Sequence, residues 1–464
     1  MEKPNILFVM TDQQRWDAMG CSGGWVQTPN LDRIAGEGVR FSHCVTNSPV
    51  CIPARVSLAT GRYPHNTGVW DNFHYDMPQN TPTWMQAVRN AGYTTSLFGK
   101  THLHHHSGDL RDREHLLHAY GLDDVDEIGG PRASANLLSH MTARWEALGL
   151  WERYRADYRE RFAKKPHVVR PSALPLTEYA DVYVGQKAKA YLQDYSRPEP
   201  WCCWVSFGGP HEPWDAPEPY ASMYDPDDMP EPVPGPEAPG RRPRGLFDKR
   251  LETAPALTPE DVSSMRANYA GNISLIDTQI GEILQAIESR GDLDNTVIVF
   301  SSDHGELNGD YGLIYKSTFL NGAVRVPLLI RTPDTTRSPA AGVVSDCPVE
   351  WFDIGPTLVE VAGGELKHQQ FGRSLCPAIE NPEMEHRDFA ISELSGELMY
   401  LDRKWKMVLN DDGVPYLLFD LENDPNELSN LVSDGSTKKA QVELRLRIQE
   451  RLVRTQVQLS RKIG

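Results

Sequence analysis

The sequence predicts an α/β fold: a large mixed, mostly parallel sheet flanked by helices, with a small α+β subdomain at its C-terminal end. Two observations carry this expectation. Strand-sized apolar runs such as Asn5–Met10 and Thr296–Ser302 are continuous rather than alternating, as in strands covered on both faces, and helix-sized segments with start and stop signals lie between them. Beyond about Cys376 the pattern shortens to small strands, Trp405–Leu409 and Tyr416–Asp420, and a final helix. The expected division is 1–375 for the α/β domain and 376–464 for the subdomain, with a short antiparallel sheet in the latter.

Each element has a local reason. Asn5–Met10 ends in Thr11-Asp12-Gln13, so the carboxyl end of a buried strand delivers polar groups to a crevice. Thr28–Gly38 reads as a short helix closed by glycine, and Val39–Val45 as one alternating strand. Pro53–Thr60 reads as a helix with Gly61 at its exit, placing Cys51 just before a helix N-terminus. A helix over Trp84–Asn90 precedes a strand over Tyr93–Phe98 that ends in Gly99-Lys100-Thr101-His102. Residues 104–175 lack βαβ alternation and read as an inserted, partly helical region. Trp204–Phe207 reads as a strand, and 214–244, rich in proline and acids, as a long surface loop. Thr258-Pro-Glu-Asp261 starts a helix running to Ser289, and the strand Thr296–Ser302 ends in Asp303-His304. In the last helix, Lys438–Arg454, Val442, Leu446 and Val453 share an apolar face expected to pack, with Arg447, Arg451 and Arg454 opposite.

Composition narrows the function. A net charge of −17 over 464 residues opposes nucleic acid as a partner, so any anionic ligand must be captured by a local cluster. No apolar run is long enough for a membrane span, and MEKPNILFVM leaves no room for a secretory leader. The seven cysteines are odd in number and scattered, which is not a disulfide framework; the expectation is a reducing, cytoplasmic compartment.

The segment Cys51-Ile-Pro-Ala-Arg55, continued by Val-Ser-Leu-Ala-Thr-Gly-Arg62, resembles the signature of the type I sulfatases, in which that cysteine is oxidised to formylglycine. Gly99-Lys100-Thr101-His102 and Pro210-His211-Glu212-Pro213 resemble two further family motifs, and Asp353–Leu358 and Phe419–Leu428 resemble later landmarks, so the likeness spans nearly the whole chain. It implies an alkaline-phosphatase-like sandwich and hydrolysis of sulfate monoesters. It also implies roles. Cys51 becomes the nucleophile, and its geminal diol attacks sulfur and later expels sulfate. Arg55 balances developing negative charge, and Lys100 and Lys316 bind sulfate. His211 protonates the leaving alcohol, and His102 takes a proton as sulfate departs. Arg62 and His65 brace the nucleophile helix.

Asp12, Gln13, Asp303 and His304 form an oxygen-rich set with one imidazole, suited with Cys51 to a divalent cation: calcium is favoured, with manganese or magnesium as alternatives. Gln13 stands where many family members carry a second aspartate; Asp12-Gln13 resembles a variant seen in several sulfatases and in the related phosphonate monoester hydrolases. Those relatives lack the Lys100–His102 pair, so the main expectation is a sulfatase and the rival a phosphonate monoester or phosphodiester hydrolase. A non-catalytic binder of sulfated ligands is a remote third. Expected partners are a small sulfated sugar, aryl or alkyl ester, a formylglycine-generating enzyme and a second copy of the chain. Alternation along His102-Leu-His-His-His106 puts His102, His104 and His106 on one face, the spacing of a zinc site; the preferred reading leaves His104, His105 and His106 lining the pocket or facing solvent. Trp70, Phe73, Tyr75 and Trp214 are candidates to stack on substrate or to sit in the core.

Overall fold

A computed structural model describes residues 3–164, 166–235 and 245–458. The large sheet has eight strands: β1 (Asn5–Asp12), β2 (Val39–Phe41), β3 (Thr94–Gly99), β4 (Asp124–Glu127), β5 (Trp201–Pro210), β6 (Thr296–Ser302), β7 (Leu328–Arg331) and β8 (Val343–Ser345). Their spatial order is β8-β2-β7-β6-β1-β5-β3-β4. Only β7 runs against its neighbours; every other pairing is parallel. The expectation of a mixed, mostly parallel sheet holds.

The central strand shows why its run is continuous. Ile6, Phe8 and Met10 pack into one helical layer with Leu58, Trp84 and Ile354. Leu7 and Val9 pack into the other, against Leu275, Ile280 and Ile283 of the long helix Pro259–Ser289. Both faces of β1 are therefore core. The long helix begins where its capping signal says: Asp261 N donates to Thr258 Oγ1 at 3.1 Å and Thr258 N to Asp261 Oδ2 at 3.1 Å.

Several expectations change. Val39–Val45 is not one strand: a turn at Ser42-His43 divides it between β2 and a three-stranded sheet containing Cys44–Val45. Cys51 does not precede its helix but is the first residue of it, Cys51–Thr60, with Val50 as the extended N-cap. The insertion supplies an edge strand, β4, whose sequence DVDE is too polar to read as one. The loop after Trp214 carries two short 3₁₀ turns; its end, 236–244, lies outside the described residues.

The C-terminal sheet is antiparallel, in the order Ala390–Leu394, Glu397–Leu401, Trp405–Leu409 and Pro415–Asp420. The terminal helix packs with a different face from the one expected. Val442, Leu446 and Val453 are 60%, 55% and 69% exposed, whereas Leu444, Ile448 and Arg451 are buried. Arg451 sits inward because Glu350 Oε1, 3.2 Å away, and the Tyr63 hydroxyl, 3.0 Å away, receive it. Pairing with a buried carboxylate overrides the apolar stripe. Leu444→Ala is expected to lower stability by about 2–5 kcal/mol and Val442→Ser to change it by less than about 0.5 kcal/mol, as chemical unfolding will measure.

Candidate active site

The carboxyl ends of β1, β3, β5 and β6 meet the first turn of the Cys51–Thr60 helix. Asp12, Cys51, Asp303 and His304 are all buried, and their ligand atoms lie within 4.8 Å of one another. Cys51 Sγ lies 3.1 Å from His304 Nε2 and 3.8 Å from Asp12 Oδ1. Lys100 Nζ is 4.0 Å from the sulfur and donates to Asp12 Oδ2. The helix N-terminus is held from outside: Ile52 N donates to Asn72 Oδ1 at 2.9 Å.

Arg55, one turn along the helix, is wholly buried. Its Nε donates to Asp303 Oδ2 at 2.8 Å and its Nη1 to the carbonyl of Lys100 at 2.7 Å and to Ser206 Oγ at 3.2 Å. It is committed to holding the strand ends together. Burial opposes the Lys100 charge, but Asp12 and Cys51 raise its pKa above the ordinary value. Burial likewise opposes a Cys51 thiolate, yet Lys100, Lys316 and His304 hold that thiol well below its usual range. His102, on a left-handed backbone at φ 56°, is kept neutral: burial and then Lys100 hold its pKa well below normal.

The residues present fit a divalent cation. His304 Nδ1 lies 3.1 Å from the carbonyl of Gly305, which can only accept, so Nδ1 carries a hydrogen and Nε2 is the ring nitrogen that faces the two carboxylates and the sulfur. Gln13 follows on from Asp12 at φ 73°; its N–H donates to Asp303 Oδ1 at 3.1 Å. Its carboxamide oxygen accepts from Lys316, and its Nε2 donates to Glu212 at 2.9 Å and to Glu306. Lys316 Nζ in turn lies 2.7 Å from His211 Nε2, while His211 Nδ1 faces the Glu212 carbonyl at 2.9 Å. Lys100, His102, His211 and Lys316 thus all reach this one crevice.

Sequence reasoning missed Glu212, although it lies inside Pro210-His211-Glu212-Pro213, and Glu306, two residues past His304. Burial opposes the Glu212 charge, but His211, Arg132 and Lys316 hold its pKa down to about 2. Burial and Glu212 push Glu306 up to about 7. Arg132 was also missed. It belongs to the insertion, pairs with Glu212 and lies over the rings of Tyr315 and Phe162 at 5.2 Å and 5.3 Å. His65 Nδ1 meets Glu393 at 2.7 Å and Arg62 Nε donates to the Gln369 carbonyl at 2.9 Å, tying the segment after the nucleophile helix to the C-terminal part of the chain. Trp214 is buried against Tyr269 and Tyr315, a core position; Phe73 is 47% exposed.

Comparison with known proteins fits this geometry. The sulfatase family model matches residues 4–364, and a model of the N-sulphoglucosamine sulphohydrolase C-terminal region matches 309–456. The chain belongs to the sulfatase family. A choline-sulfatase of Rhizobium meliloti is 30% identical over 455 residues, covering 93% of this chain and 83% of the relative. An arylsulfatase of Clostridium perfringens is 29% identical over 464 residues, covering 94% and 92%. The phosphonate monoester hydrolase of Agrobacterium radiobacter superposes with a TM-score of 0.75 at 28% identity, covering 97% and 95% of the two chains. This sulfatase is a sulfuric ester hydrolase, acting on sulfate monoesters on an alkaline-phosphatase-type scaffold. Among the described residues no helix is long and apolar enough to cross a membrane.

The strand that carries His211 is fastened by a buried acid. Gly208 N and Gly209 N both donate to Asp181 Oδ1 at 2.9 Å, and burial pushes the Asp181 carboxyl up to about 6 even though those donors oppose the shift. An aspartate in the unfolded chain titrates near 3.9, so between about pH 4 and pH 6 the folded sulfatase retains a proton that the unfolded chain releases. Stability from this group therefore falls as pH rises through that window. Asp181→Asn keeps the accepting oxygen and removes the titration. Its stability relative to wild type is expected to increase from pH 4 to pH 6 and to level off above, in unfolding curves at stepped pH.

Proposed function

We propose that this sulfatase works through a formylglycine made from Cys51 by a separate maturation enzyme, with one divalent metal held by Asp12, Asp303 and His304, completed by Gln13 and the modified Cys51. The observation that carries the reading is the convergence of three strand ends on Cys51 Sγ, with His304 at 3.1 Å, Asp12 at 3.8 Å and Lys100 at 4.0 Å. Formylglycine supplies a geminal diol, one hydroxyl attacking sulfur and the other later expelling sulfate, and the metal supplies positive charge for the sulfate oxygens. Calcium is the favoured ion, because the donors are mainly hard oxygens.

The protein's own groups do the rest. Lys100 and Lys316 bind the sulfate oxygens and supply the positive field that a chain of net charge −17 lacks elsewhere. Arg55 keeps Asp303 and the Lys100 backbone in place. His211 turns Nδ1 to the Glu212 carbonyl and Nε2 to Lys316 at 2.7 Å, so Nε2 is the atom placed to relay a proton to the leaving alcohol. His102, neutral beside Cys51, accepts a proton as sulfate leaves. The substrate class is a small sulfated sugar, aryl or alkyl ester, bounded by the insertion through Arg132 and by the loop through Asn72 and Phe73. The seven unpaired cysteines suit a reducing compartment, the cytoplasm in this reading.

Gln13 and the likeness to a phosphonate monoester hydrolase favour one rival, in which the same crevice takes a phosphonate. Lys100 and His102 weigh for sulfate, since both contact the nucleophile residue. Steady-state kinetics are expected to give a higher kcat/KM on an aryl sulfate than on an aryl phosphonate monoester; the reverse order overturns the choice. Cys51→Ala is expected to abolish turnover while leaving the unfolding transition intact. Lys100→Ala and His102→Ala are expected to lower kcat by about 10²- to 10⁴-fold. Chelation should remove activity, and calcium should restore it better than manganese or magnesium.

A further inference from the structure

A second cluster of ligating side chains lies behind His102. Glu127, the last residue of β4, is buried, and the loop after β3 brings His104 and His106 onto its carboxylate. His104 Nε2 is 2.7 Å from Oε2 and His106 Nε2 is 3.1 Å from Oε1, while Thr101 Oγ1 also donates to Oε1. One ligand atom from each of His104, His106 and Glu127 lies within 4.8 Å of the others. The grouping differs from the one alternation suggests: His102 turns to Cys51, and Glu127 takes its place.

The hydrogens at this cluster require a cation. His104 Nδ1 lies 3.3 Å from the carbonyl of His105, an acceptor only, so Nδ1 carries a hydrogen. A neutral His104 would then aim the Nε2 lone pair at a buried carboxylate, which is repulsive. Either a second ring proton or a metal ion stands between them. His106 reaches Glu127 through Nε2 at 3.1 Å, and its Nδ1 is buried without a hydrogen-bond partner in either tautomer. A metal on Nε2 resolves the His104 conflict without a buried imidazolium.

The spacing is close to what an ion needs. Zinc bonds to imidazole nitrogen and carboxylate oxygen of about 2.0–2.2 Å place tetrahedral ligand atoms roughly 3.3 Å apart, so the pairs at 2.7 Å and 3.1 Å need to open by on the order of half an ångström. Two imidazoles and a carboxylate form a more nitrogen-rich set than the one around Asp12 and Asp303, and select a borderline cation over calcium. We infer that His104, His106 and Glu127 form a second metal site, for zinc or a similar borderline divalent cation, with water in the fourth position. The site fastens the loop after β3 to the end of β4. It also backs His102, whose ring lies 4.5 Å from that of His106 and whose Nδ1 has no partner.

The inference stands apart from the chemistry proposed for Cys51, and its test reads metal rather than turnover. The full-length Cys51→Ala/Asp303→Asn protein, which lacks two of the donors at the first site, is titrated with Co²⁺. One bound equivalent with the visible absorption of four-coordinate cobalt is expected, and adding His104→Gln and His106→Gln should abolish it. Absence of that spectrum in folded protein overturns the site and assigns the position to a proton. Should the double variant not fold, elemental analysis of wild type and Glu127→Gln after growth with zinc decides. One equivalent more zinc in wild type supports the site, and equal zinc in the two overturns it.

Discussion

The structure depends on charge balance in a buried region. Asp12, Asp303, Lys100 and Arg55 are almost wholly inaccessible, so each charge must be met by another protein charge or by a bound ion. Arg55 carries the greatest share. From the nucleophile helix it reaches Asp303 at the end of β6, the Lys100 carbonyl beyond β3 and Ser206 on β5. One side chain thus fastens the elements that deliver the site, and shortening it would leave two buried carboxylates short of a partner. The Cys-x-Pro-x-Arg spacing is therefore a constraint on assembly as much as on chemistry: the arginine one turn past the cysteine fixes its helix against the strand ends.

Much of this was legible because the determinants are local. A strand buried on both faces writes itself as a continuous apolar run, as Ile6–Met10 does, and the capping box at Thr258 and Asp261 marks a helix start in four residues. The illegible parts depend on partners distant in sequence. β4 is polar because Asp124 and Asp126 face Arg197, Tyr191 and Tyr183 at a sheet edge, and nothing in DVDE announces that. The terminal helix has two plausible inward faces, and Glu350, about a hundred residues away, selects the one with Arg451. Glu212 sits in a recognised motif and Glu306 two residues past His304, but their role appears only when Gln13 is seen between them.

Gln13 is also where the two readings of the crevice meet. Its carboxamide oxygen accepts from Lys316 and its nitrogen donates to two glutamates, so it links that lysine to an acidic pair. An aspartate there would add a negative charge beside Glu212 and Glu306, one of which is already pushed up to about 7 by burial and its neighbour. The neutral amide avoids that repulsion and still offers an oxygen toward Lys316. The departure from the family's commoner aspartate is thus matched by local electrostatics and does not by itself argue for another substrate.

Specificity must then arise outside the charge-balanced centre, on the segments least constrained by it. Arg132 is the clearest link: its side chain is 47% exposed yet pairs with Glu212, which is wholly buried beside His211. A substituent on the leaving alcohol that competes for Arg132 changes the partner of Glu212, and Glu212 Oε2 lies 3.2 Å from His211 Nδ1. In the chemistry proposed for His211, recognition of the alcohol and the proton it receives are coupled through this one carboxylate.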